Sequence, residues 1–409
     1  MLENVPDKIF TRSLRPSSRM LPVSGFCLKG PSRCARWPGF AVSLFASVLW
    51  FAMLSGCSHL RPGPAGGSVY VTAKQTYLRD RVAAVSNRTA TVENGQRLDV
   101  LEHGRRFYRV KTEKGEMGWI DEKAVATQAV FDEFKALAET HKNDPSVASA
   151  VVRDDVNLHL RPGRATETFY RLAEGDKLQL IERATLPKPV APGVAPVKAV
   201  DTQGVEAAPP IAMEDWWLAR DAKGRAGWLL SHYVDVDAPD SVAKYSEGQR
   251  IVGAYVLATV HDDGAPQDIK DIPIYLTVLS PYTAGLPYDF DQVRVFTWNL
   301  KMHRYETAYR EKNIEGYLPV TIKSSVDPYG KSATAQMALP TFTYKALAAD
   351  AGAVVPDAAT GMVTPGRTIE KTYRLEGNLV RRIAAPGSKD EPEAHPVAEV
   401  KKTSKGKKR

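Results

Sequence analysis

The sequence predicts a mainly β chain: two small β units of related sequence joined by one short α-helix, then a longer antiparallel β-rich region. Three observations point there. The stretches "FYRVKTEKGEMGWI", from Phe107, and "WWLARDAKGRAGWL", from Trp216, share an aromatic start, a charged turn and a Gly-x-x-Gly-Trp. Between them Val130, Phe131, Phe134, Leu137 and Ala138 recur at helical spacing. Beyond residue 245, "IVGAYVLATV", "IPIYLTVLS" and "VRVFTW" are rich in the β-branched and aromatic residues that fit a pleated, half-buried surface.

Residues 1–56 read as an export signal and not as part of a fold. Lys29, Arg33 and Arg36 precede an uncharged apolar run of 15 residues, 39–53, which is the charge-then-apolar order of a secretory leader. Spanning a bilayer takes about 20 apolar residues, so the run is short for an anchor. It ends in Leu54-Ser55-Gly56-Cys57, which resembles the bacterial lipobox. The resemblance implies a lipoprotein with lipid such as palmitate on Cys57 and, because Ser58 and not Asp follows, an address on the periplasmic face of the outer membrane. Two or more acyl chains hold a protein stably on a membrane. Cys27 and Cys34 would leave with the leader, so no disulfide is expected.

Charge narrows the function classes. Seven Lys or Arg against two acids in residues 1–56 account for +5 of the net +8, and six bases in the last nine residues for another +6, which leaves −3 for residues 57–400. A nearly neutral folded part gives no basic nucleic-acid face, so no nucleic-acid partner is expected. Residues 384–409 read as a disordered basic tail.

The elements follow in order. Residues 57–68, with "RPGPAGG", form a tether, because Pro and Gly interrupt helix and strand. The first β unit is 69–126, the connector helix 127–146, and the second β unit 147–237. "ENGQRLDVLE" (93–102) matches "AEGDKLQLIE" (173–182) at an offset of 80, "YLR" (77–79) matches "HLR" (159–161) at 82, and the Gly-x-x-Gly-Trp blocks match at 109. The jump of 29 is an Ala/Pro/Val-rich insert, 184–212, expected as a disordered surface loop. Residues 245–383 form the β-rich C-terminal domain, with turns at 299–303 and at Gly377-Asn378 and an Ala/Gly/Pro-rich insertion loop at 346–369. Ten of the sixteen tyrosines fall between 245 and 345, as suits a sheet with polar ring edges.

The order of Leu-Arg, a Gly before the second strand, Gly-x-x-Gly-Trp and the closing Tyr-Val resembles the bacterial SH3-like domains, which are small barrels. The second copy, with "WWLA" at 216–219 and "SHYV" at 231–234, is also similar to the eukaryotic SH3 signature, without its "ALYDY" opening and with Leu230 where that family has proline. The resemblance implies two SH3-like barrels that bind peptidoglycan or another extended peptide through an aromatic groove. Carried over residue by residue, the groove walls are Trp216 and Tyr233, with Trp217 and Trp228 as face-packing or core residues. In the first copy Phe107 stands for Trp216, but Ala124 stands for Tyr233 and supplies no wall. The second copy is therefore expected to bind and the first to act as a spacer.

No catalytic chemistry is legible. The eight histidines lie at least 18 residues apart, outside any zinc-protease frame, and no cysteine follows Cys57. Gly330-Lys331-Ser332 lacks the first glycine of a phosphate loop, and Asp262-Asp263-Gly264 lacks the spaced acids of a calcium loop. His303 and Glu306 form an acid–base candidate with no nucleophile signature. No catalytic residue, metal or cofactor is expected. The expected function is a non-catalytic, lipid-anchored envelope protein with an envelope-protein partner at its C-terminal domain; the rival classes are a cell-wall hydrolase whose catalytic site lies in 245–383 and a purely structural scaffold.

Overall fold

The first repeat builds from β1 (Ser68–Val71), β2 (Gln75–Arg79), β3 (Arg88–Glu93), β4 (Arg97–His103), β5 (Phe107–Lys111), β6 (Met117–Asp121) and β7 (Val125–Thr127). This computed structural model describes residues 66–396 apart from 84, 190–198, 201–205, 208–210, 267 and 388. The expectations for the leader, Cys57 and the basic tail beyond 396 lie outside the described residues, but the tail expected as disordered from 384 is ordered at 392–394, where the Ala394 amide donates to the Leu347 carbonyl and the Ala349 amide to the Pro392 carbonyl.

Helix α1 (Gln128–Thr140) starts where Thr127 accepts a hydrogen bond from the Val130 amide, as an N-cap does. Its apolar stripe is the predicted one, with Phe134 wholly buried. Strands β8 (Ala148–Val152), β9 (Val156–His159), β10 (Thr168–Leu172) and β11 (Lys177–Pro187) follow, then the short pair β12 (Ala199–Val200) and β13 (Glu206–Ala207), then β14 (Met213–Asp221), β15 (Ala226–Leu230) and β16 (Val234–Val236). The first sheet runs β3-β2-β6-β5-β4-β1-β7 and the second β10-β9-β15-β14-β11-β8-β16, the same order strand for strand. Even the irregularity is copied: β4 bulges between Val100 and Glu102, and β11 between Leu180 and Glu182.

The motif that first linked the copies has a mechanical reason. Gly115 and Gly224 take φ of +88° and +78°, a left-handed turn open to glycine. Three residues on, a Cβ at Gly118 would meet the Leu78 Cβ at 2.7 Å, and one at Gly227 the Leu158 Cβ at 2.7 Å. The hairpin therefore needs glycine twice, once to turn and once to let β2 or β9 cross closely.

Two expectations need correction. Arg79 pairs with Trp119 and His159 with Trp228, so "YLR" corresponds to residues 157–159 and not to 159–161. Strand side chains alternate, so Leu158 and Leu160 both face inward, at 0% and 6% exposure, and a two-residue slip leaves the pattern intact. The insert is also not wholly a disordered loop. Residues 184–187 continue β11 and pair with 213–216 of β14, with Ala184 and Thr185 buried.

After the short helix α2 (Asp240–Ala243), the C-terminal sheet is a plain antiparallel meander in chain order: β17 (Arg250–His261), β18 (Asp271–Ser280), β19 (Phe290–Asn299), β20 (Arg304–Ser325), β21 (Leu339–Leu347), β22 (Thr368–Glu376) and β23 (Leu379–Ile383). Its core gathers Leu276, Val278, Phe290, Val293, Val295, Ile314 and Phe342, all fully buried. Gly377 turns the last hairpin at φ +62°, where the sequence placed it.

The extended β11–β14 hairpin joins this sheet. Arg183 donates to the Asp289 carboxylate at 2.8 Å and to the Leu286 and Tyr288 carbonyls, while the Thr185 hydroxyl and the Gly285 amide both donate to Asp215. The Thr185 amide donates to the Gly361 carbonyl, and Ala184 bridges Met362. Segment 361–362, inside the predicted insertion loop, thereby forms an isolated β-bridge to the second repeat.

Candidate functional site

Trp216 and Trp217 are consecutive on β14 and so point to opposite faces of the sheet. Trp217 joins the inner core of the second repeat, against which Tyr233 also packs. Trp216 lies on the outer face, with Ile181, Ala184, Leu218 and Trp228. The expected groove walls thus belong to different clusters. Trp216 is also only 1% exposed, Trp217 6% and Trp228 7%, so the outer face of this repeat is closed.

Its cover is the protein itself. Leu137 of α1, Leu230 and Met362 pack onto the cluster that holds Trp216 and Trp228. His159 stands edge-on to Trp216 with ring centroids 5.0 Å apart, and burial lowers its pKa, which keeps the imidazole neutral in this apolar layer.

The same outer face of the first repeat is open. Phe107 and Trp119, the counterparts of Trp216 and Trp228, line a cleft of about 600 Å³ together with Tyr77, Arg79, Arg81 and Asp121. Phe107, Trp119 and Tyr77 are each part-exposed. Here the expectation reverses: the repeat read as a spacer carries the open aromatic cleft, and the repeat read as the binder has that face sealed. Ala124, offered as the reason the first copy would not bind, packs instead against the first repeat's core and plays no part in the cleft.

One wall of the cleft is the loop between β2 and β3. Its base is pinched by Asp80 and Asn87: the Asp80 amide donates to the Asn87 carbonyl, and the Asn87 amide and side-chain amide donate back to the Asp80 carboxylate at 3.0 and 3.1 Å. Arg79 donates to the Ser86 hydroxyl at 2.9 Å. The Arg88 guanidinium lies 3.9 Å from the Tyr77 ring centre, a cation–π contact that fixes the ring. Arg81, Val82 and Ala83 then project along the rim.

Tyr77, Trp119, Arg79 and Arg81 were not singled out from the sequence. A signal for the reversal was present. Period-two alternation puts Phe107 with Arg109, and Trp119 with Asp121, on one face; the matching positions in the second copy are Leu218 and Leu230. A face with leucine where its twin has charge is a face that will be covered.

A second cleft, about 360 Å³, lies where the second repeat meets the C-terminal sheet, lined among others by Trp217, Glu182, Arg183, Asp289 and Met362. Its most buried charges are already satisfied by one another, Arg183 by Asp289 and by backbone carbonyls. The acid–base candidate also resolves differently. His303 Nδ1 meets Asp262 at 2.7 Å, Asp262 accepts from Trp298 Nε1 at 2.6 Å and from the Gly264 amide, and Glu306 instead accepts from Asn299. The hydrogen bonds from Trp298 and His303 hold the Asp262 carboxyl below the usual range. Among the described residues no group of three or more His, Cys, Asp or Glu is placed to hold a metal ion, and no helix is long and apolar enough to cross a membrane.

No protein-family model matches the sequence, and no curated protein matches it. Among solved structures the chain is similar to NlpC2 from Trichomonas vaginalis, at 9% identity over 81% of this chain and 97% of that one, with a TM-score of 0.14. It is similar to NlpC1 from Trichomonas vaginalis at 7% identity over 61% of this chain and 92% of that one, also with a TM-score of 0.14. Likeness at that score carries no argument about fold or function.

Proposed function

We infer that this chain is a non-catalytic envelope protein, held by lipid on Cys57, that binds an extended peptide of the cell wall in the aromatic cleft of its first repeat. The single observation that carries the reading is the unequal fate of one duplicated face. In the second repeat it is buried under Leu137 and Met362; in the first, Phe107 and Trp119 stand open above a braced loop. Flat rings cover apolar and ring-shaped ligand faces at little cost in conformational entropy. The second repeat and the C-terminal sheet, locked through Arg183, Asp215 and Asp289, serve as the rigid support and the surface for an envelope-protein partner.

The test is co-sedimentation of the chain from residue 57 onward, as Cys57→Ser, with purified peptidoglycan. Phe107→Ala and Trp119→Ala should each cut retention about tenfold, while Lys331→Ala, far along the sequence, leaves it unchanged. Equal retention of all variants removes the cleft reading. Zymography of the same chain should show no clearing band, since a band means a hydrolase. Metabolic palmitate label should be lost in full-length Cys57→Ser, and label that survives contradicts the anchor.

A further inference from the structure

The second repeat shows what its own face accepts, and that internal cover describes the kind of side chain that fits the twin face of the first repeat. Where the face is closed, aliphatic and thioether side chains, Leu137 and Met362, lie against the apolar cluster that holds both indoles. Met362 arrives on an extended segment, bridged to Ala184 and fixed by the Thr185 amide on the Gly361 carbonyl. In the first repeat the rings remain but the rim differs in charge. Arg79 and Arg81 line the cleft beside one carboxylate, Asp121, which is engaged by the Lys123 amide. Among the described residues Arg79 and Arg88 have no carboxylate partner, and Arg81 has only Asp80, at 3.8 Å and largely exposed. At the positions of Arg79 and Asp121 the covered copy carries His159 and Leu230, and its counterpart of Arg81, Arg161, is already paired with Glu133 of α1.

On the reading that this cleft is the binding site, we propose that its occupant is an acidic extended peptide, which lays one aliphatic side chain on Phe107 and Trp119 and turns a neighbouring carboxylate toward Arg79 and Arg81. The apolar contact repeats the covered copy's own packing. The carboxylate supplies the acceptor that the guanidiniums lack, in the planar geometry arginine pairs with best. That carboxylate belongs to a stem peptide of the wall, and an acidic protein segment is the other outcome of the test.

A random decapeptide library is panned in parallel on the chain from residue 57 (as Cys57→Ser) and on its Phe107→Ala form. Peptides enriched on the first alone should carry Asp or Glu within two positions of Leu, Met or Val. A synthetic copy of the best peptide should bind about tenfold more weakly to Arg79→Gln/Arg81→Gln. Arg79→Lys/Arg81→Lys should recover part of that loss, which a purely structural role of these arginines would not allow. In the second arm, peptidoglycan whose carboxyls have been converted to amides with carbodiimide and ammonia is compared with native peptidoglycan, and loss of retention assigns the source to the wall. Enriched peptides without acidic residues, or affinity and retention indifferent to the double Gln variant and to amidation, overturn the carboxylate and leave the cleft standing. Failure of Phe107→Ala to alter either peptide enrichment or retention on native peptidoglycan overturns the cleft itself.

Discussion

Gly118 and Gly227 show how a single hydrogen can hold a sheet crossing. A Cβ at Gly227 would stand 2.7 Å from the Leu158 Cβ and 3.2 Å from the His159 carbonyl oxygen, both parts of a paired strand that cannot yield as a flexible side chain does. Gly227→Ala should therefore cost about 1–3 kcal/mol, the usual range for forced overpacking, read as a lower urea midpoint at unchanged slope. Gly118→Ala meets Leu78 Cβ and Thr89 Oγ1, each at 2.7 Å, and should behave alike. Trp119 carries the opposite lesson. It is the counterpart of the buried Trp228, yet part-exposed, so Trp119→Ala should leave the melting temperature nearly unchanged while it cuts ligand retention about tenfold.

Among the elements, the β11–β14 hairpin does the work that a short turn does in the first repeat and adds a second task. Four extra residues on one strand and three on the other carry Thr185 and Asp215, beside Arg183 at the end of the shared part, into contact with the C-terminal sheet. The Arg183 and Asp215 side chains are 6% and 1% exposed, so removing the cation strands buried carboxylates. Arg183→Met is expected to cost about 3–5 kcal/mol in urea unfolding, and adding Asp289→Asn should return part of it. Strands β20, β21 and β22 build a second buried network. Glu311 accepts from Lys371 at 2.6 Å, from Tyr309 at 2.6 Å, from Tyr373 at 2.9 Å and from Tyr344. Burial alone would raise the Glu311 pKa, but these donors hold it below the usual carboxylate range. A depressed folded pKa stabilises the protein above the unfolded value, near 4.3, and that contribution vanishes as pH falls through the folded value. Glu311→Gln should thus be furthest below wild type at neutral pH and converge with it in acid, as measured by urea unfolding from pH 7 to pH 3.

For the molecule as a whole, the repeats, the helix and the meander share side chains at their joints. Tyr70 of the first repeat stacks on Phe131 of α1 at 4.1 Å and meets Phe169 of the second repeat edge-on. Asn94 donates to the Phe169 carbonyl, and Tyr255 of the C-terminal sheet to the Val147 carbonyl. Phe134, wholly buried beneath this joint, is the residue whose loss all parts should feel. Phe134→Ala should cost about 3–5 kcal/mol and shift tryptophan fluorescence and far-UV circular dichroism together. Separate transitions by the two probes would mean that the repeats unfold independently of the sheet.

Local chemistry in the sequence determined the repeat, the helix, the glycine turns and the mainly β character, because each is carried by residues a few positions apart. The near-equal offsets of 80 and 82 were harder to separate, since a two-residue slip in a strand changes no face. Which copy stays open was decided by tertiary structure, in which α1 and segment 361–362 fold back onto one face and not its twin. Burial is set by what lies across from a side chain, often a hundred residues or more away, and two tryptophans identical in motif therefore end with different access to solvent.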